Sequence, residues 1–417
     1  MDFDYPAETE SFRQEVRAFL EANWDPGHYA QEAEGLSGPG GPVGTGFAAG
    51  AWHAKLQEAR LVAVHWPEEF GGRGLGMTER LILIEELNRV GAPGPGNPIG
   101  VGWAGPTILQ YGSEEQKRRF LPKILTGEEI WCQLFSEPNA GSDLASLATR
   151  AERVGDEFVV SGQKVWTSLG FSAHWGILLA RTDPEVPKHR GLTYFLLPMR
   201  QPGVEVRPLR QMTGGEEFCE VFLDQARVPA ANVLGEIGSG WRAAMTTLLN
   251  ERISLTSGTG ALWGGGPSLT DFLKLAKAAA RGPDRLMDDP NYRQLAARLY
   301  IEDRVLGFVR LRVLSALVAD RDPGFQAAIQ KLMADRFGKR LMAAAMEVLG
   351  PHGLLWHDRR APDDGAWADG FLFSPGLSIG GGTEEVQKNI LGERALGLPQ
   401  EPRPDKDVPY RKLGSPS

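Results

Sequence analysis

Apolar residues recur at helical spacing towards both ends of the chain and at strand spacing only in its middle. Residues 7–24, "AETESFRQEVRAFLEANW", place Phe12, Val16, Phe19 and Leu20 on one helical face. The glycine- and proline-rich run 27–50 predicts a long loop. Further helices are predicted near 51–62, 77–90, 103–111 and 114–125. The pattern then changes. "DEFVVSGQKVWTS", "HWGILLART", "LTYFLLPM", "VEVRPL" and "FCEVFLDQARVP" are short β-rich runs between turns, as in a compact barrel or sandwich. From Gly240 long helices return, over 240–262, 268–281, 290–319, 324–350 and 383–397, apolar enough to pack as a bundle. Residues 351–378 read as a loop or lid, and the charged, proline-rich tail as exposed and mobile.

This order divides the chain into a helical domain (1–128), a β-domain (129–238), a helical bundle (239–400) and an exposed tail (401–417). The class is α+β, without the alternating βαβ pattern of a dinucleotide-binding sheet. The glycine run in "IGGGTEEVQKNILGER" (379–394) is therefore no Rossmann fingerprint, and no Walker loop occurs.

Composition narrows the function. Apolar residues make up 42% of the 417 and charged residues 24%, as in soluble globular proteins. The net charge of −8, with signs interspersed, argues against a nucleic-acid partner. Cys132 and Cys219 stand far apart in no ligand spacing, and the histidines form no metal-binding cluster, so no disulfide framework and no metal site are expected. No secretory signal or membrane-spanning run is seen, which points to the cytoplasm.

Residues 131–182 contain "SEPNAGSD" followed by "DEFVVSGQKVWTS". This stretch resembles the acyl-CoA dehydrogenase family, and the resemblance extends through "FCEVFLDQARVPAANVLGE" and "EEVQKNILGERALGL" to cover about residues 8–399. It implies a helical domain, a β-barrel domain and a four-helix domain, with FAD as cofactor. A flavin needs a flat slot, hydrogen bonds at the ring edge and protection from water. Trp166 can wall the ring, Ser168 can bond near N5, and Phe135 and Ser136 with their backbone can serve the pyrimidine edge. The alternative for Trp166 alone is a strand core residue. The resemblance also points to Ser142, Arg252 and Gly382 as acyl-CoA contacts, and to Thr383, Glu385, Gly350 and Gly353 on the cofactor side, although glycines after a helix are often plain C-caps.

The implied reaction removes an α-proton and a β-hydride from an acyl thioester, which needs a carboxylate base and stabilisation of the enolate-like charge. Much of the family carries its basic glutamate where this chain has Gly381. A minority, including isovaleryl-CoA dehydrogenase, carries it on a helix of the C-terminal domain, just before an arginine. Glu251 precedes Arg252 at that position. Thr247, Leu248, Ser254 and Leu255 would surround it, an environment expected to be mostly apolar and to raise its pKa. The resemblance implies that the Gly381 N–H can still bond the thioester carbonyl. Gly380 in place of an aromatic residue widens the cavity for a branched, cyclic or bulky acyl group.

Two departures bear on assembly. The family's Arg-x-x-Phe-Gly motif is absent from "LTDFLKLAKAAARGPDRLMDDP", and Glu347 replaces a glutamine. The trans flavin contacts therefore differ, in a homo-oligomer or in a hetero-oligomer completed by a sister chain. The expected activity is acyl-CoA dehydrogenase with electron-transfer flavoprotein as acceptor. The alternatives are a non-catalytic or half-site subunit, or an oxidase-like flavoenzyme.

Overall fold

The structure, a computed structural model, describes residues 7–28, 50–255, 261–262, 265–281, 283–319, 321, 323–356 and 360–413. Most of the loop expected over 27–50 lies outside them. The first domain holds helices α1 (Ala7–Asn23), α2 (Ala51–Glu58), α3 (Met77–Val90), α4 (Gly105–Tyr111) and α5 (Glu114–Thr126). A π-turn, Gly100–Ala104, leads into α4. Phe12, Val16 and Leu20 are buried, as the periodicity predicts. Ser113 starts α5 with a capping box: its Oγ accepts from the Gln116 N–H at 3.2 Å, and the Gln116 side chain accepts from the Ser113 N–H at 3.0 Å. The Gln116 amide then donates to the carbonyls of Ala231 and Val233, both at 2.8 Å, which ties α5 to the next domain.

The middle domain is one seven-stranded sheet: β1 (Trp131–Leu134), β2 (Arg150–Val154), β3 (Glu157–Ser168), β4 (Trp175–Arg181), β5 (Leu192–Pro198), β6 (Val204–Leu209) and β7 (Phe218–Pro229). The order is β1-β4-β2-β3-β7-β6, with β5 also paired to β4. β1 runs parallel to β4. The start of β1 is set by Asn97, at φ +58°, whose side chain donates to the carbonyls of Ile124 and Glu129 and accepts from the Trp131 N–H. The β-run pattern did not reveal β1 and β2. β1 is only four residues long, and in β2 only Ala151 is buried, so neither carries an alternating apolar signal.

The last domain contains α6 (Gly240–Leu255), α7 (Leu269–Ala278), α8 (Pro290–Val318), α9 (Phe325–Leu349), α10 (Ala366–Phe373) and α11 (Glu384–Ile390). Of the helix expected over 240–262, Gly240–Leu255 is helical, and 256–260 lie outside the described residues. The stretch expected as a loop over 351–378 instead contains α10 and a 3-10 turn, Ser374–Ser378. Trp367, Phe373 and Leu377 join one core with residues of α7, α8 and α9. Helix α6 contributes Ala243 and Ala244 to a different core, shared with the first domain and with Leu192, Tyr194 and Leu196 of β5. The helix that carries Glu251 therefore packs at the junction of all three domains.

Residues 401–407 are largely exposed, as their composition predicts, but the tail is tied down. Tyr410 and Arg411 donate backbone N–H groups to the carbonyls of Val186 and Pro184, and the Tyr410 ring lies under the Arg181 guanidinium at 3.4 Å.

Candidate active site

Strand β3 pairs with β7, but the register slips between Lys164 and Thr167. The bulge turns Trp166 into the left-handed region, at φ +60°. Its indole meets the Phe218 ring edge to face, with centroids 6.0 Å apart, and stays 60% exposed. That exposure excludes a strand core role. Such strain at a non-glycine residue costs about 1–3 kcal/mol and persists only where surrounding structure enforces it.

Two residues before Trp166 stands Lys164, which the residue pattern alone does not single out. Its fully buried ammonium donates to the carbonyls of Phe135 (3.0 Å) and Leu179 (2.9 Å) and to Glu137 Oε1 (2.8 Å). Glu137 also accepts from the N–H groups of Ala148 and Thr149. Burial raises the Glu137 pKa, but Lys164 and the hydrogen bonds outweigh it and hold the group below the usual range. Val165 N–H donates to Ser136 C=O at 2.9 Å. Phe135, Ser136 and Trp166, distant in sequence, thus share one site. Ser168, half-buried, pairs with Phe218 at the end of the same strand. The strand alternation was the missed signal: Phe158 and Val160 face inward, and Lys164 falls on their face.

These residues fit an isoalloxazine. An exposed indole offers a flat apolar wall. Ser136 and Ser168 are half-buried residues of the same segments, and the buried Thr167 hydroxyl has no hydrogen-bond partner.

Glu251 is half-buried, and its Oε2 lies 3.5 Å from Gln133 Nε2 on β1. Gln133 is two residues before Phe135, so the carboxylate reaches the strand that runs into the indole-walled slot. One turn earlier on α6, the Thr247 hydroxyl bonds those of Thr107 and Tyr194, each at 2.9 Å. The surroundings expected to be mostly apolar therefore include a buried hydroxyl cluster and a carboxamide. Burial raises the Tyr194 pKa, which keeps that cluster neutral. The side chains of Arg252, Ser254 and Leu255 lie outside the described residues.

Gly381 and Gly382 have φ of +65° and +91°. A Cβ on Gly382 would lie 2.7 Å from the Gln387 amide nitrogen. The run is thus a close turn before α11, not a phosphate cradle. Thr383 is the N-cap, its hydroxyl accepting from the Val386 N–H at 3.2 Å. Glu385 is exposed, and Glu384 is the residue held, by Lys339 at 2.6 Å. Gly350 caps α9 at φ +54°, and Gly353 packs on Met346 and Leu349, both in keeping with a plain helix end. Glu347 is exposed. Ser142 is exposed beside Asp143, which pairs with Lys188 at 2.8 Å, and Lys188 also reaches Asp405 of the tail at 2.9 Å. Among the described residues no His/Cys/Asp/Glu group could hold a metal, and no helix is long and apolar enough to cross a membrane.

The fold and the sequence are shared with known proteins. The chain is 40% identical over 394 residues to the acyl-CoA dehydrogenase IpdE1 of Mycobacterium tuberculosis, covering 94% of this chain and 99% of that one. The ChsE4–ChsE5 complex of the same organism superposes with a TM-score of 0.79 at 31% identity, covering 96% of this chain and all of that one. The Tcur3481–Tcur3483 steroid ACAD gives 0.80 at 29% identity, with the same coverage. Residues 6–128, 132–226 and 238–396 match the N-terminal, middle and C-terminal domains of acyl-CoA dehydrogenase, so the chain belongs to the acyl-CoA dehydrogenase family.

Proposed function

We propose that the protein is an FAD-dependent acyl-CoA dehydrogenase in which Glu251 removes the α-proton, with electron-transfer flavoprotein as the onward acceptor and a trans-2-enoyl-CoA as product. The observation that carries this is the Glu251–Gln133 contact, which sets a carboxylate from the bundle at the segment leading to the Trp166 slot. FAD, when bound, supplies acceptance of the β-hydride. Trp166 walls the ring, Ser136 and Ser168 bond its edge, and the Lys164–Glu137 pair holds those residues in register. The Gly381 N–H donates to the thioester carbonyl and stabilises the charge that develops as the proton leaves. Ser142 lies at the acyl-CoA entrance. The absence of side chains at Gly380 and Gly381 favours a bulky or ring-bearing acyl group, and the likeness to a steroid ACAD supports that class.

The active unit is an oligomer. Helix α8 exposes Tyr300, Ile301, Val305, Phe308 and Leu311, a stripe that suits another subunit. A hetero-oligomer with a sister chain is the second reading, favoured by the paired subunits of the structural relatives.

The test uses purified wild type and Glu251→Gln. Both should carry flavin absorbance. Under anaerobic conditions with octanoyl-, isovaleryl- and cyclohexylacetyl-CoA, the variant should bleach about 10²–10⁴-fold more slowly. Equal bleaching would remove Glu251 from the chemistry. Flavin bound only after a partner chain is added would favour the hetero-oligomer.

A further inference from the structure

Lys331 and Lys339 stand eight residues apart on α9, about two helical turns, and both reach the glycine turn. The Lys331 ammonium donates to Leu377 C=O at 2.9 Å and to Gly382 C=O at 2.7 Å. One cation thus bridges the two ends of the arc that contains Gly380 and Gly381. Asp335, one helical turn along, places Oδ2 2.5 Å from the same nitrogen as an ion contact, with side-chain exposures of 9% for Lys331 and 1% for Asp335. Lys339 holds the far side, bonding Ser378 Oγ and Glu384, while Ser378 itself donates to Glu384 at 2.8 Å. Gln387 Nε2 is 3.5 Å from Gly381 C=O.

From Gly380 to Gly382 the arc has no side chain that could fix its shape. Consecutive glycines are the most permissive backbone, and an amide that must point at one place needs an external constraint. Charge-assisted bonds to carbonyls are about twice as strong as neutral ones. A buried ammonium bridging the two ends therefore restricts the peptide planes between them far more than an apolar side chain could. Asp335 balances the buried charge, so the bridge adds little net field.

We propose that Lys331, supported by Asp335, is a positioning residue of the dehydrogenation: by gripping Leu377 and Gly382 it aims the Gly381 N–H at the thioester carbonyl. This rests on the reading of that N–H as the carbonyl's donor. Lys331 touches neither substrate nor reacting atoms.

The experiment uses holoenzyme carrying Glu251→Gln, which holds thioester without turnover. It binds whichever of the three thioesters bleaches the wild type fastest, isotope-labelled at the carbonyl carbon. Infrared difference spectra report polarisation of that carbonyl as a shift to lower frequency than in free thioester. Adding Lys331→Met with Asp335→Leu, which removes both partners and leaves no unpaired buried charge, should abolish most of the shift. With Glu251 restored, kcat should fall about a hundredfold, with KM changed less than about threefold. If the double variant does not fold, Lys331→Arg carries the test. It retains the charge beside Asp335, but its planar fork cannot make the same two contacts, so the shift should shrink there as well. An unchanged shift in a folded variant overturns the role of Lys331 and leaves the Gly381 reading intact. No shift even with Lys331 present overturns the Gly381 reading, and the proposal with it.

Discussion

The carboxylate of Glu251 on α6 lies 3.5 Å from the side-chain amide of Gln133 on β1, a contact between residues 118 positions apart. On the proposal that Glu251 is the base, Gln133 orients it, because its side-chain amide donates to the carboxylate. Gln133→Leu should lower kcat about tenfold through misorientation and leave flavin content unchanged. Steady-state kinetics with the responding thioester, together with a flavin-to-protein ratio, checks both.

The Lys164–Glu137 pair is a buried ion pair with extra hydrogen bonds at both ends. Breaking one side leaves an uncompensated charge, so Lys164→Met should cost about 3–5 kcal/mol. Lys164→Met with Glu137→Leu should recover part of that stability but not flavin binding, because Phe135 and Ser136 would still lack their anchor. Urea unfolding followed by flavin titration separates the two effects.

Trp166 gives the opposite pairing of outcomes. Its exposure and positive φ mean that Trp166→Gly relieves strain while removing little buried area. Apoprotein stability should change by less than about 1 kcal/mol, whereas a core tryptophan would lose several. Flavin affinity should drop at least about tenfold. A large loss of apoprotein stability would return Trp166 to a packing role.

Glu86 on α3 contributes to the acid limb of stability. Its side chain is 1% exposed and lies within 3.0 Å of Arg13, Arg17 and Arg89. Burial raises its pKa, but the three guanidiniums outweigh this and bring it from 4.5 to about 2. A folded pKa below the unfolded one adds stability that is full above 4.5 and lost as pH falls through about 2. The stability gap between wild type and Glu86→Gln should therefore be widest at neutral pH and narrow on acidification. Denaturant titrations stepped down from neutral pH measure it.

Much of this was legible in the residues. The Phe12–Val16–Leu20 spacing marks α1, and "SEPNAGSD" with "QKVWTS" marks the slot. Helix α10 was not legible. Its eight residues sit between "APDDG" and "SPG", which read as loop. It forms because Trp367 and Phe373 are buried against the bundle, a tertiary effect. Lys164 and Lys331 were missed for a related reason. Each is a lone lysine in an apolar run, and its meaning lies in carbonyls brought to it from 15 to 51 residues away. The polar neighbours of Glu251 come likewise from other domains.

The tie between Tyr410 and the loop at Ser146 joins residues 264 positions apart, with the Tyr410 hydroxyl 3.4 Å from Ser146 C=O. Synthesis runs in the other direction. The sheet can pair its strands once residue 229 has emerged, but the wall beside Ser142 and Asp143 is unfinished until residue 410 follows. The contacts that Asp405 and Tyr410 make beside Asp143 and Ser146 are therefore the last of this region that a growing chain can complete.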